Sequence, residues 1–190
     1  MKKSDYTYDY LLDAFEQAKS TASSLISETD ESILILKPSE EKWSMTEILS
    51  HLVQTGNEYL PQIKQALEKP DEKLAKGKPP FTPNFAFRWF IGQVSPENRR
   101  KLPTVSAFKP RQPDSLETQE ILDEFLLLQD ELTHILKRGK LEGWNLDRIN
   151  ARHPLIKLLP ISLTACFAIA EAHQRRHFEQ LKNLKEQFSS

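Results

Sequence analysis

The residues with the clearest chemical potential in this 190-residue chain are its five histidines. His173 and His177 are four residues apart, a spacing that places both side chains on one face of a helix. They continue a stripe of apolar residues at steps of three or four, so both are predicted to face a core. The stripe consists of Leu159, Leu163, Cys166, Ala170, His173, His177, Leu181 and Leu184.

His51 occupies a similar position on another predicted helix, between Ile48 and Thr55 on its inward stripe. A buried imidazole without hydrogen-bond partners costs about 1–3 kcal/mol. Three such rings on two helices are difficult to satisfy with protein groups alone, and a shared metal ion would bind one nitrogen of each. Because an HxxxH pair alone is a weak indicator, satisfied core or cleft histidines without a metal remain the alternative.

The other two histidines have different surroundings. His134 lies near the end of a predicted helix, where a cation suits the helix dipole, and His153 precedes Pro154 in a loop. We interpret both as structural or surface residues.

The three inward histidines are carried by four predicted amphipathic helices, with almost no strand pattern. The first helix covers about 8–29. The second begins at Ser44, where Ser44 and Glu47 match a capping box, and carries His51. It bends or ends at Pro61 and resumes to Lys69.

The third helix begins after Pro113, with Asp114 or Ser115 as its cap, and stops at Gly139. The fourth covers about 162–187 and carries His173 and His177. Eight of the twelve prolines lie between the second and third helices, in residues 70–113. A short helix around 84–92 interrupts this stretch, whose aromatic residues indicate a long crossover that packs on the bundle and covers a pocket mouth. The chain is therefore predicted to be one all-α domain over 1–190, a four-helix bundle with a long crossover between its second and third helices.

Composition excludes several other classes of protein. The formal net charge is −1 and the 28% of charged residues are spread along the chain, which argues against nucleic-acid binding. No apolar run approaches the roughly 18 residues that span a bilayer, and no apolar segment of a signal peptide follows the first residues. The single cysteine, Cys166, is predicted to be a buried thiol rather than a nucleophile, and it gives no indication of an oxidising compartment. We therefore expect a cytoplasmic protein.

Two segments resemble the motifs of a known family. Residues 43–52 (WSMTEILSHL) are similar to the opening motif of the DinB-like superfamily, which includes the bacillithiol-transferase and mycothiol-dependent isomerase families. Residues 153–164 and 172–181 (AHQRRHFEQL) resemble its closing motif. The resemblance covers nearly the whole chain and implies a DinB/YfiT-like bundle whose metal ligands match His51, His173 and His177. Relatives typically have a glycine in the loop after the His-Pro pair, where this chain has residues 156–160 (IKLLP). The resemblance therefore does not predict the geometry of that loop.

Three neutral histidines leave coordination positions for water or substrate, the pattern of a catalytic site. Zn²⁺ or Ni²⁺ are the ions expected, although Fe²⁺ and Cu²⁺ also suit this ligand set. The resemblance implies a small-molecule transferase that uses a low-molecular-weight thiol, ionised at the metal. From their aromatic composition, residues 81–91 are expected to line the pocket of the electrophile. A hydrolase belongs to the same hypothesis. No proton-transfer residue stands out. Gln54 and Thr55, one turn beyond His51, are candidates to line the site, with surface or core packing as the favoured alternative.

The alternative is a metal-stabilised binding or stress-response module without turnover, in which the ion ties the second helix to the fourth. A closed coordination sphere would indicate such a module, whereas an open position facing a cavity would indicate an enzyme. We expect a small-molecule substrate in the enzyme case, and the resemblance together with the aromatic helices favours a homodimer.

Overall fold

The computed structural model describes residues 5–69, 71–98, 100, 103–111, 117–156 and 158–188. Four long helices form the bundle: α1 (Tyr8–Ser27), α3 (Met45–Ala66), α5 (Thr118–Glu142) and α6 (Leu163–Phe188). The shorter elements are α2 (Glu31–Leu34), α4 (Phe85–Val94), two 3₁₀ turns (Asp71–Lys73 and Ser106–Phe108), and the strands β1 (Asn150–Arg152) and β2 (Pro160–Ser162). The predicted all-α four-helix bundle with a long crossover is confirmed.

The long crossover follows from the directions of the helices. α1 and α3 each pack on both α5 and α6. Near the start of α3 the hydroxyls of Thr46 and Thr118 are 2.8 Å apart, and near its end Lys64 forms an ion pair with Glu131. These contacts show that α3 and α5 run parallel. Parallel neighbours need a connection that returns over the full length of a helix, about 33 Å for the 22 residues of α3.

The start of α3 is fixed by the predicted capping box. The Ser44 hydroxyl accepts the Glu47 amide at 3.2 Å, and the Glu47 carboxylate accepts the Ser44 amide at 2.9 Å. α3 does not end at Pro61: it continues through this residue as α-helix, as the pattern beyond it predicted, and ends at Ala66 rather than Lys69. His51 is therefore carried by one continuous helix.

The predicted stop of the third helix at Gly139 is also wrong. α5 continues to Glu142, and Gly143 ends it in the left-handed conformation, at φ 67°. Gly139 is instead needed for packing, because a β-carbon at this position would lie 2.9 Å from the Trp144 ring and 3.2 Å from Tyr8. The expected caps at 114 and 115 lie outside the described residues.

A small β-hairpin, which the sequence did not indicate, connects α5 to α6. Ala151 pairs with Ile161 at the centre of its antiparallel register. The prediction that Leu159 begins the inward stripe of the fourth helix is wrong, because this residue is 38% exposed and precedes β2. The helix itself begins at Leu163, one residue from the prediction.

The buried apolar residues form two clusters, one toward each end of the bundle. α6 contributes residues up to Ala172 to the first cluster and residues from Phe178 onward to the second. His173 and His177 lie in the span between these clusters. No helix among the described residues is both long and apolar enough to cross a membrane.

Candidate metal centre

The three inward histidines meet between α3 and α6. His51 and His177 are buried, His173 is partly exposed, and one nitrogen of each lies within 4.8 Å of the others. The His173 Nε2 atom is 3.2 Å from His51 Nε2 and 3.1 Å from His177 Nε2. The structure therefore brings together the three residues that helical spacing had placed on inward faces.

Two of the rings are oriented by hydrogen bonds on their outer nitrogens. His51 Nδ1 donates to the backbone carbonyl of Phe108, and His177 Nδ1 donates to Gln180 Oε1 at 3.1 Å. A carbonyl oxygen can only accept, so the proton of each neutral ring is on Nδ1. The Nε2 lone pairs of both rings consequently point into the shared centre.

This arrangement leaves lone pairs that protein groups do not satisfy. If His173 carries a proton on Nε2, it can donate to only one of its two neighbours; without that proton, three lone pairs face one another. A cation at the centre would accept all three. Ligands held tetrahedrally about 2.05 Å from a metal are about 3.3 Å apart, close to the 3.1 and 3.2 Å separations between the nitrogens.

The electrostatic surroundings keep the rings neutral, as metal ligation requires. Burial lowers the pKa of His51 below its usual 6.5. Burial and the adjacent His177 ring hold the pKa of His173 well below that value. For His177, burial followed by the His51 ring lowers the pKa to about 3. The lone pairs therefore remain available at neutral pH.

The crossover covers the centre from outside the bundle. In addition to Phe108, its residue Arg111 donates its amide to the hydroxyl of Ser50, next to His51. Arg176, between the two histidines of α6, donates to four crossover carbonyls. The indole of Trp43 packs on the His51 ring at a centroid distance of 4.9 Å.

A narrow cavity of about 20 Å³ adjoins the centre on the bundle side, with His173 in its wall. Its other lining residues are apolar or uncharged and come from α3, α5 and α6. Residues 81–91, which were expected to line a pocket, do not line this cavity. Phe81 and Phe87 pack in the core, whereas Phe85 and Trp89 are 77% and 62% exposed.

The remaining histidines match their structural or surface interpretation. His134 is exposed on α5. His153 is buried, and its Nδ1 accepts the amides of Leu155 and Ile156, both at 3.2 Å, so it shapes the start of the hairpin loop. Burial lowers the pKa of His153.

Thr55 and Cys166 both line the narrow cavity, Thr55 close to His51 and Cys166 further along α6. Thr55, considered as a site residue, donates its hydroxyl to the His51 carbonyl at 2.9 Å and lines the cavity. Cys166 is a buried free thiol, and burial raises its pKa.

Three contributors to the centre were missed from the sequence. Gln180 lies three residues after His177, a spacing at which helical side chains meet, so this contact could have been found. Trp43 precedes the cap of α3, and no periodicity points to it. The Phe108 carbonyl is a backbone group 57 residues from His51, and no side-chain pattern identifies it.

Fold and geometry define the chain as a helical bundle with a three-histidine candidate metal centre. The family model of the DinB superfamily matches residues 14–181, and the chain therefore belongs to this superfamily.

Among solved structures, the chain is similar to YfiT from Bacillus subtilis, with a TM-score of 0.59 and 14% sequence identity. The match covers 96% of this chain and 87% of YfiT, which is described as a probable metal-dependent hydrolase with an unusual four-helix bundle topology. At this identity the likeness shows the fold. No curated protein sequence matches the chain.

Proposed function

We propose that this protein is a divalent-metal-dependent enzyme that activates a small nucleophile at His51, His173 and His177. The observation that carries the proposal is the convergence of three neutral imidazole nitrogens beside a cavity. Among the described residues no Cys, Asp or Glu joins this group. A set of three protein ligands is typical of catalytic sites, whereas structural sites are closed by four.

The chemistry supplied by the bound ion would be to lower the pKa of a water or thiol, so that a nucleophile forms at neutral pH. The residues of the chain hold this centre in place. The Phe108 carbonyl and the Gln180 amide oxygen fix the orientation of two ligand rings, and burial keeps all three rings unprotonated. The Trp43 indole packs on the His51 ring, which is buried.

The nucleophile divides the proposal into two reactions. The likeness to YfiT, described as a probable metal-dependent hydrolase, supports water as the nucleophile. The thiol-transferase members of the superfamily support a low-molecular-weight thiol, which a soft borderline ion such as Zn²⁺ binds as thiolate. Both reactions use the same three ligands and an uncharged small-molecule pocket.

The experiment begins with metal content. Untagged protein and its His173→Ala variant are each loaded with Zn²⁺ or Ni²⁺, desalted and analysed by mass spectrometry of the metals. We expect one ion per chain in the natural sequence and none in the variant. His134→Ala, at an exposed histidine outside the centre, is the matched control and should retain its ion. Equal metal content in the natural chain and the His173→Ala variant would refute the site.

The loaded protein is then assayed with ester and amide substrates, and separately with small thiols and a chromogenic electrophile. Turnover that is lost in His173→Ala and retained in His134→Ala would support the enzyme, and the productive substrate would identify the nucleophile. Stoichiometric metal without turnover or ligand binding would instead favour the non-catalytic, metal-stabilised module.

A further inference from the structure

The residues that line the cavity beside His173 are spread along the axis of the bundle, and we call this cavity the slot. On α3 its wall extends from Leu52, next to His51, to Ile63; on α6 it extends from Gln174 back to Cys166. Eleven residues of helix correspond to about 16 Å. One end of this slot is therefore at the candidate metal centre and the other lies three turns away among core side chains.

The lining of the slot is mostly apolar and carries no permanent charge. Leu128 and Leu132 of α5 form one side, and Ile169 and Ala170 of α6 form another. Two of its polar groups already have protein partners: the Thr55 hydroxyl donates to a backbone carbonyl, and the Gln174 amide donates to Gln129. A charged or strongly polar ligand would lose its hydration here without compensation.

One close contact lies in the wall of the slot. A β-carbon at Gly56 would lie 2.1 Å from Leu128 Cδ2, so the Leu128 side chain packs directly on the backbone of α3. Glycine at this position allows the leucine to stand away from the centre of the slot. About 20 Å³ of the slot is open, room for a slender group of about one or two water-sized units and too little for a ring or branched chain.

We propose that the slot binds a short, unbranched aliphatic group of a ligand whose polar head coordinates the metal at the three histidines. The substrate class is then a small molecule with a metal-binding head and a linear apolar tail. This inference deepens the proposed function and rests on its open coordination position. Leu128 and Gly56 are the residues that determine tail length and branching.

The test uses Co²⁺-loaded protein titrated with linear alkyl hydroxamates of two to six carbons and with a branched isomer, followed by the visible spectrum of the ion. Each methylene that enters the slot should lower Kd by about four-fold. The branched compound should bind more weakly than its linear isomer. Acetohydroxamate, which has almost no tail, reports the metal centre alone.

Two variants change the slot from opposite directions. Leu128→Ala removes the side chain that narrows the slot. It should lower the Kd of the branched isomer by ten-fold or more relative to that of acetohydroxamate. Gly56→Ala should push Leu128 into the slot and abolish the gain in affinity with chain length. Gly92→Ala, whose β-carbon would meet no atom within 4 Å, is the matched control and should behave as the natural sequence. Because every Kd is expressed relative to acetohydroxamate in the same variant, a general loss of folding does not imitate the effect.

The outcomes separate the inference from the function on which it rests. The slot inference is overturned if Kd does not change with chain length in a protein that binds acetohydroxamate, or if Leu128→Ala leaves the Kd values of the series unchanged. Either result leaves the metal centre intact. A Co²⁺ spectrum that acetohydroxamate does not alter overturns the open coordination position, and the slot inference with it.

Discussion

Removal of the metal should destabilise the natural protein and leave the His173→Ala variant almost unchanged. His51 comes from α3, and His173 and His177 from α6, so an ion at their centre cross-links two helices that are far apart in sequence. An unfolded chain does not hold these nitrogens within 4.8 Å of one another. The binding free energy is therefore largely folding free energy.

The expected magnitude follows from mass action. At a free metal concentration a thousand times the dissociation constant, the folded state gains about 4 kcal/mol. For a chain of this length each kcal/mol corresponds to about 2–4 °C in Tm, so addition of Zn²⁺ or Ni²⁺ should raise Tm by about 8–16 °C. Two of the three nitrogen separations, 3.1 and 3.2 Å, already approach those of a ligated ion, and all three nitrogens lie within 4.8 Å, so little of this gain should be lost to rearrangement.

Thermal unfolding is followed by circular dichroism in EDTA and in excess metal, for the natural sequence, His173→Ala and His134→Ala. The natural sequence and His134→Ala should shift together, and His173→Ala should shift by less than 2 °C. The comparison within each protein removes the cost of truncating the side chain, which is present in both buffers. A shift of the full size in His173→Ala, or no shift in the natural sequence, would refute the reasoning.

Four further results are expected. In EDTA, the free energy of unfolding should fall as the pH decreases below 6.5. The histidines of the unfolded chain bind protons in this range, whereas His173 and His177 of the folded chain stay neutral because their pKa values are lowered. Each ring contributes up to about 1.4 kcal/mol per pH unit. Urea titrations from pH 7.5 to 5 measure this slope, and an equal slope in His177→Ala would contradict it. Cys166 should resist a thiol reagent at pH 8 until urea unfolds the chain, because its thiol is buried with a raised pKa; rapid labelling of the folded protein would disprove that burial. Gly143→Ala should cost about 1 kcal/mol through its left-handed φ, whereas Gly92→Ala should cost nothing, and equal denaturation midpoints would argue against the C-cap. The expected homodimer should sediment at twice the 22.0 kDa mass of the chain, and a 22.0 kDa species would exclude it.

The helices were predictable because their signals are local. The stripe that places His173 and His177 inward continues from Leu163 to Leu184, about six turns of helix. The capping box at Ser44 and Glu47 fixes the start of α3 to the residue. Gly139 was misread because a glycine near the end of a helix has two explanations. It can end the helix in a left-handed conformation, as Gly143 does, or it can admit a neighbouring ring, as Gly139 does for Trp144.

The convergence of the ligands could be predicted only in part. Periodicity places His51 on an inward face of one helix and His173 on an inward face of another, but it does not determine which turns of the two helices lie opposite each other. That register is set by packing along the whole length of α3 and α6, which run antiparallel. The family resemblance, and not the periodicity, predicted that the three histidines meet. The cavity is a property of the same register, since its walls come from three helices.

The crossover illustrates why the surroundings of the ligands were out of reach. Because α3 and α5 run parallel, the chain must return along the bundle between them, and this return path passes over the candidate centre. Its contribution there is made by backbone: the Phe108 carbonyl accepts from His51, and four other carbonyls accept from Arg176 on α6. Backbone carbonyls are identical in every residue, so proline-rich composition predicts an irregular segment without showing which of its groups will orient a ligand. Helix topology thus brings the crossover to the centre, and Arg176 and His51, both on the ligand-bearing helices, hold it there.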